Sequence, residues 1–329
     1  MMRSILYKIV VGLSAIVVIL SILSLIHDLT YWYAKILDFP RTQYLIFSLV
    51  CLLLFLILNR KWNVTSYIVV AGLVVAISIH SIKIGPYYVG EKVVPEVSQE
   101  NLESASSLKV LIANVLITNR DAAKLREIIE KHQPDMVLAM EVNSWWVEQL
   151  DQIGYPFAIK YPLENAYGMA LYSKLPLLEK DVKFFQHHDV PSVHTVVELK
   201  SGQKIKFHGV HPVAPFPSDK YPDNVGLNEV ALTKVGKLVA ADNLPSIVAG
   251  DFNDVSWSST TKFFEEHGNL KNVRLGRGLY NSFSAQSFWM RWPLDHFFVT
   301  EEFEAVKVQR LDKFGSDHFP MLTELILRK

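Results

Sequence analysis

The chain has 329 residues, of which 50% are hydrophobic and 20% charged, with 33 Lys and Arg balanced by 33 Asp and Glu. A mean hydropathy of +0.19 at that charge content excludes an intrinsically disordered chain, and a single cysteine excludes a disulfide scaffold or a thiolate metal site. The neutral total hides an asymmetry: residues 1–90 carry seven Lys and Arg against two acids, a charge of +5, and the remainder is −5, which disfavours a basic nucleic-acid track along the second part.

The hydropathy is concentrated at the start. Three apolar runs without Asp, Glu, Lys or Arg, Ile9 to Ile26, Thr42 to Asn59 and Trp62 to Ile82, have the length of about 18–21 residues that crosses a hydrocarbon core. Residues 1–84 therefore read as a membrane domain with three transmembrane helices. Trp32, Tyr33, Trp62, Tyr67, Tyr87 and Tyr88 fall near the ends of the runs, where amphipathic rings favour the interface. The first run alone has the look of a signal peptide, but no small-residue cleavage pattern follows Ile26 and two further spans come next. Arg3, Lys8, Arg60 and Lys61 outweigh Lys35 and Arg41, which share the first outer loop with Asp28 and Asp38. That bias places the N-terminus inside, and three crossings then put everything after Ile82 outside the cytoplasm. Cys51 falls within the second span, leaving the exported part without a thiol.

Pro86, Gly90, Pro95 and the polar Ser98 to Ser107 stretch mark a linker over residues 85–107. From 108 to 329 strand and helix signals alternate, which predicts an α/β domain. Strands are expected at Lys109 to Val115, Met136 to Met140, Gly168 to Tyr172, Val193 to Leu199, Ile205 to Val210, Ser246 to Ala249, Leu294 to Val299 and Met321 to Leu327. Helices are expected at Arg120 to His132, Asn228 to Ala240 and Ser259 to His267.

Most of these strands end in a polar residue that a strand interior could not hold. Asn114 follows Val110-Leu111-Ile112-Ala113, Glu141 follows Val137-Leu138-Ala139-Met140, and His211 follows Phe207-His208-Gly209-Val210. Asp251 and Asn253 follow Ile247-Val248-Ala249-Gly250, Asp295 and His296 precede Phe297-Phe298-Val299, and Asp317-His318 comes just before Pro320 and the last strand. An unpaired buried carboxylate is costly, so acids gathered at strand ends point to a shared polar site. Oxygen-rich ligation by Glu141, Asn114 and an Asp suits a hard cation such as Mg²⁺, which contacts substrate phosphate, and a His held by an Asp suits charge stabilisation on a phosphate oxygen. His296, His187, His188 and His194 read as structural or surface residues.

At these positions the sequence resembles the endonuclease/exonuclease/phosphatase superfamily of DNase I, exonuclease III and the sphingomyelinases. The matching segments run in the superfamily's order: Asn114 to Asn119, Leu138 to Asn143, Tyr167 to Ser173, His211-Pro212, Gly250-Asp251-Phe252-Asn253, Leu294-Asp295-His296 and Gly315 to Pro320. The resemblance implies a four-layer α/β sandwich of the DNase I-like kind, preceded here by three transmembrane helices, and a metal-dependent phosphoesterase using Mg²⁺ or Mn²⁺. It implies Glu141 as principal metal ligand, with Asn114 beside it and Asp317 as a second-site ligand. Asp251 matches the water-activating acid, Asn253 the phosphate-orienting amide, and His318 the histidine on the scissile phosphate, oriented by Asp295. His211 matches a second active-site histidine and Tyr167 a phosphate-contacting tyrosine.

The sequence departs from the family where a Thr-aromatic-Pro turn commonly precedes the Asp295 strand. Here Tyr280 to Ala285 and the apolar Phe288-Trp289-Met290-Arg291-Trp292 stand instead, either core packing or a membrane-facing lip, with His211 to Pro222, including Phe216 and Tyr221, as a second lip. The layout resembles a membrane-anchored bacterial subgroup that includes lipid-pyrophosphate phosphatases. The partners expected are the bilayer of a bacterial plasma membrane and a lipid-linked phosphate or pyrophosphate. The alternatives are a metal-dependent endo- or exonuclease, with nucleic acid as the less favoured partner, and a non-catalytic membrane binding protein, which would lack catalytic residues that this chain retains.

Overall fold

In the computed structural model, which describes residues 1–26, 31–98, 107–227 and 229–328, the apolar runs are helices: α1 (Met2–Leu23), then a short α2 (Trp32–Ile36), α3 (Arg41–Leu58) and α4 (Val64–Tyr88). Three of them, α1, α3 and α4, are long and apolar enough to cross a membrane. They pack through Val17, Cys51 and Leu73. Asn63 opens α4 by accepting from the Ser66 N–H, which satisfies one of the donors that a helix start leaves unpaired. Asp28 lies outside the described residues.

Arg41 departs from the sequence expectation. It is not a loop charge but is completely buried at the start of α3, ion-paired with Asp38. Its Nη2 donates to the Ser24 carbonyl at 2.9 Å, and its Nη1 lies 3.5 Å from Nδ1 of His80. His80 in turn meets the Ser21 hydroxyl at 2.8 Å. A guanidinium with five donors is tolerated at that depth only when neighbouring helices supply acceptors.

A second unit comprises Glu91–Lys329. The expected linker is thus divided: α4 continues to Tyr88, residues 91–98 belong with the second unit, and 99–106 lie outside the described residues. The elements are β1 (Leu108–Asn114), α5 (Ala122–His132), β2 (Met136–Met140), α6 (Ser144–Asp151), β3 (Phe157–Tyr161), β4 (Met169–Ser173), β5 (Leu177–Phe184), β6 (Pro191–Glu198), β7 (Lys204–Gly209), α7 (Ala231–Ala240), β8 (Ser246–Asp251), α8 (Ser259–His267), β9 (Lys271–Asn272), β10 (Asp295–Val299), β11 (Phe303–Arg310) and β12 (Met321–Leu327). The α7 helix begins three residues after the predicted Asn228, which lies outside the described residues.

The strands form two mixed six-stranded sheets, ordered β11-β12-β1-β2-β4-β3 and β5-β6-β7-β8-β10-β9. Each has one parallel pair at its centre, β1 with β2 and β7 with β8, and antiparallel pairs elsewhere. Because a strand's side chains alternate, β1 sends Val110 and Ile112 into the core between the sheets and Leu111 and Ala113 to the other face, where Leu125 and Ile129 of α5 and Trp146 of α6 cover them. On the opposite outer face Val248 and Phe298 meet Leu232 and Val235 of α7 and Phe264 of α8. The result is the four-layer sandwich the sequence predicts, with central strands β2, β4 and β8 buried on both faces.

Candidate active site

The central strands of both sheets deliver their carboxyl ends to one edge. There β1 ends in Asn114, β2 is followed by Glu141, and β8 ends in Asp251, which pairs across the ladder with Asp295 at the start of β10. Close approach of backbones is built into this edge: a Cβ on Gly250 would sit 1.9 Å from the Val210 carbonyl oxygen, so only glycine fits before Asp251. Glu141 and Asn253 both take left-handed backbone angles, with φ of 62° and 51°, which costs a non-glycine residue of order 1 kcal/mol each. Strain of that kind persists where a side chain must be aimed.

Asp251, 1% exposed, is the hub. Its Oδ2 accepts from Asn114 Nδ2 at 3.0 Å and faces Nε2 of His318 at 3.4 Å and Nε2 of His211 at 3.7 Å, while its Oδ1 accepts from the Asn253 N–H at 2.9 Å. Asn114 also donates to Glu141 Oε1 at 2.9 Å, so one amide ties the carboxylates of both sheets together. The other Glu141 oxygen accepts from the Ile117 N–H at 3.1 Å. Nδ1 of His318 meets Asp295 Oδ2 at 2.7 Å. Burial works against the charged form of His318, but Asp295 and Asp251 outweigh it and raise its pKa to about 10. His211, where burial, aided by the charge of His318, outweighs Asp251, is lowered to about 4. At neutral pH the site therefore presents one imidazolium and one neutral imidazole, separated by a carboxylate.

The donor set fits a hard divalent cation. Burial pushes the Glu141 pKa up to about 7, the mark of a carboxylate enclosed in protein without a full countercharge, and Asp317 adds negative field beside it. Ligand atoms of Asp251, Asp295 and His318 also lie within 4.8 Å of one another, close enough to share a metal ion. In that trio, however, Asp295 and the His318 imidazole already satisfy each other. Glu141 and Asp317 bring further carboxylate oxygens to this edge, where Asn114 turns its Nδ2 toward Glu141 and Asp251 while its Oδ1 accepts from the Leu116 N–H at 3.0 Å.

Tyr167 and Asn253 reach the same edge but engage a loop. The Tyr167 hydroxyl donates to the Pro222 carbonyl at 3.1 Å and accepts from the Ala214 N–H at 3.3 Å, with its ring 5.1 Å from that of His211. Asn253 Nδ2 donates to the Pro212 carbonyl at 3.0 Å. Two serines, neither of them named as a site residue from the sequence, position the site's backbone. The Ser316 hydroxyl donates to the Asn114 carbonyl at 2.8 Å and accepts from the His318 N–H at 3.1 Å, and the Ser282 hydroxyl accepts from the Asp295 N–H at 3.0 Å. Ser316 sits inside the Gly315 to Pro320 segment and was legible there; Ser282 has no local signal. His296 is completely buried, bonded to the Asp254 carbonyl and the Ser256 hydroxyl at 2.9 and 3.1 Å, and is structural as expected.

Two mixed sheets flanked by helices, with carboxylates, amides and a His–Asp couple at one edge, define the DNase I-like class of fold. The chain belongs to the Endonuclease/Exonuclease/phosphatase family, whose model matches residues 101–318. Members of that family are hydrolases, nucleases and phosphatases among them, and generally depend on divalent metal. Among solved structures, an endonuclease/exonuclease/phosphatase from Bacteroides vulgatus is 16% identical with a TM-score of 0.55, covering 68% of this chain and 100% of that one. TDP2 from D. rerio, complexed with a single strand DNA product, is 16% identical with a TM-score of 0.53 and coverages of 67% and 99%. The mannosyl-6-phosphatase of Bacteroides thetaiotaomicron is 19% identical with a TM-score of 0.50 and coverages of 67% and 100%. At these identities the likeness is one of fold. No curated protein matches the chain.

Proposed function

We propose that the protein is a membrane-anchored, divalent-metal-dependent phosphoester hydrolase of a bacterial plasma membrane, with an extracytoplasmic catalytic unit acting on a lipid-linked phosphate or pyrophosphate. The observation that carries this reading is the Asp251 hub, flanked by His318 and Glu141, in a chain that also holds three helices apolar enough to span a bilayer. Glu141, Asp317 and Asn114 are the residues to hold Mg²⁺ or Mn²⁺, which supplies charge neutralisation on phosphate oxygens when bound. The His318 imidazolium, held by Asp295, stabilises negative charge developing on the phosphoryl group. Asp251 accepts the proton of the attacking water, Asn253 and the neutral His211 orient the phosphate, and Tyr167 contacts it or fixes the loop that does.

Tethering raises the concentration of the catalytic unit near headgroups, which favours a lipid substrate over a diffusing one. The orientation is supported by the burial of Arg41: paired with Asp38, it no longer counts as a loop charge, and the bias of Arg3, Lys8, Arg60 and Lys61 toward the inside is sharper than the sequence count alone. The nuclease alternative has one feature in its favour, Arg291 and Arg310 both placed over the Phe319 ring beside His318 in sequence, with guanidinium-to-ring distances of 5.1 and 4.4 Å.

The test is a substrate panel on full-length protein in vesicles: duplex DNA, sphingomyelin, phosphoinositide and polyprenyl pyrophosphate, with Mg²⁺ or Mn²⁺ and with EDTA. Cleavage of a lipid, abolished by EDTA and restored by metal, is expected, and Glu141→Gln should raise the metal requirement. Full activity in EDTA would reject the metal role, and cleavage of DNA with no lipid cleaved would promote the nuclease. A reporter fused after Lys329 that works only when exported should be active.

A further inference from the structure

The loop between β9 and β10 carries the most exposed apolar group of the second unit at its tip: Phe288 is 89% exposed, and Trp289 and Met290 are each 45% exposed. Trp292 is not part of that tip. It is half-buried, stacked on Phe283 at 6.0 Å, and bridged to it through the backbone. The base of the loop is wired to the candidate active site, because Phe283 pairs with His318, the Ala285 N–H donates to the Asp317 carbonyl at 2.6 Å and the Phe319 N–H donates to the Ser282 carbonyl at 2.8 Å. Residues 283 to 292 contain no acid and one base, Arg291.

The other end of the same loop holds the incoming chain. Arg277 Nη2 donates to the Val94 carbonyl at 2.6 Å, Val94 is completely buried, and the Ala305 N–H donates to the Pro95 carbonyl at 2.8 Å. A Cβ on Gly276 would stand 2.9 Å from the Glu91 carbonyl oxygen, so the chain lies flush on this segment from Glu91 onward. Only Val89 and Gly90 separate Glu91 from Tyr88, the last residue of α4, and consecutive Cα atoms are 3.8 Å apart, so the covalent reach between Tyr88 and Glu91 is about 11 Å. In sequence, the third candidate span is therefore followed after two residues by the segment that holds this loop.

We propose that Phe288, Trp289 and Met290 form a docking lip that inserts into the headgroup region of the bilayer and seats the catalytic cleft on the membrane surface. The occupant is lipid rather than a protein because the segment that holds the loop follows a candidate membrane span after only two residues of sequence, and an acid-free aromatic stretch with one arginine suits phospholipid headgroups. The inference deepens the lipid-substrate reading and rests on it for its purpose, though not for its test.

Cys51 is the only cysteine, so a Cys51→Ala background allows a single environment-sensitive label to be placed at Phe288→Cys in full-length protein reconstituted into phosphatidylcholine and phosphatidylglycerol vesicles. Spin-labelled lipid should quench that label strongly, and a label at Phe263→Cys, on the exposed face of α8, weakly. Met290→Cys gives an independent reading of the same surface. Equal quenching at 288 and 263, or none at 288 and 290, would overturn the lip. Phe288→Asp should lower lipid turnover about tenfold, the equivalent of losing the burial of one aromatic side chain. Quenching without any lipid cleavage would leave the lip standing and remove the substrate reading; lipid cleavage without quenching would do the reverse.

Discussion

Asp251 is the residue on which the site depends most. It faces two imidazoles and an amide across the seam between the sheets, so a change there alters the charge of the site and the pKa of His318 together. On the proposed mechanism, in which each group acts on the bond being broken, Asp251→Asn and His318→Ala should each lower kcat by roughly three orders of magnitude or more, with folding intact by circular dichroism. Turnover close to wild type in either variant would place the chemistry elsewhere. A second pair of residues reports on stability instead. His194 and His208 face each other at 2.6 Å between Nδ1 atoms on the outer face of the second sheet, and burial lowers their pKa values to about 3 and about 4. A base with a depressed folded pKa takes its proton mainly when unfolded. Its stabilising contribution is therefore complete above about 6.5 and drains as pH falls toward 4, by up to about 1.4 kcal/mol per pH unit for each imidazole. His208→Asn should flatten the fall of Tm between pH 6.5 and 4 relative to wild type; parallel curves would mean that the pair is already protonated in the fold.

At the scale of elements, what the sequence revealed follows burial. The central strands β1, β2, β4 and β8 are largely apolar runs closed by a polar residue, and they stand where the hydrophobic pattern puts them. The edge strand β5 does not announce itself, because only Leu177 of Leu177 to Phe184 is buried and Glu179, Lys180 and Asp181 are exposed in succession. Nor does α6, only eight residues long, whose Asn143 cap and buried Trp146 are visible in retrospect. Site residues at strand ends were legible because polarity there has few structural uses. What the sequence could not convey is which of them would spend their hydrogen bonds on a loop, as Tyr167 and Asn253 do. Arg41 is the clearest case of hidden pairing: read as a loop charge, it is a buried tie among α1, α3 and α4. Arg41→Ala should destabilise the full-length protein in detergent by about 3–5 kcal/mol by breaking the buried ion pair with Asp38. Adding Asp38→Ala should recover part of that loss; additive damage would show that the pair contributes no coupling.

For the molecule as a whole, the pairing of β1 with β12 joins the two ends of the second unit, with Leu108 opposite Leu325 and Ile112 opposite Met321. The central strand of the first sheet thus waits for residues more than 200 positions away, and His318 lies just ahead of the strand that completes it. A chain ended after Pro320 should therefore bind no nascent cleft together: we expect it to be protease-sensitive and inactive, and a resistant, active truncation would contradict the role of β12. On the proposed extracytoplasmic placement, the order of synthesis then matters. The three apolar helices are made first and the second unit stays open until its final strand arrives, so on that proposal the polypeptide would pass a translocation pore unfolded, and closing the last hairpin would be the step that completes the site on the far side.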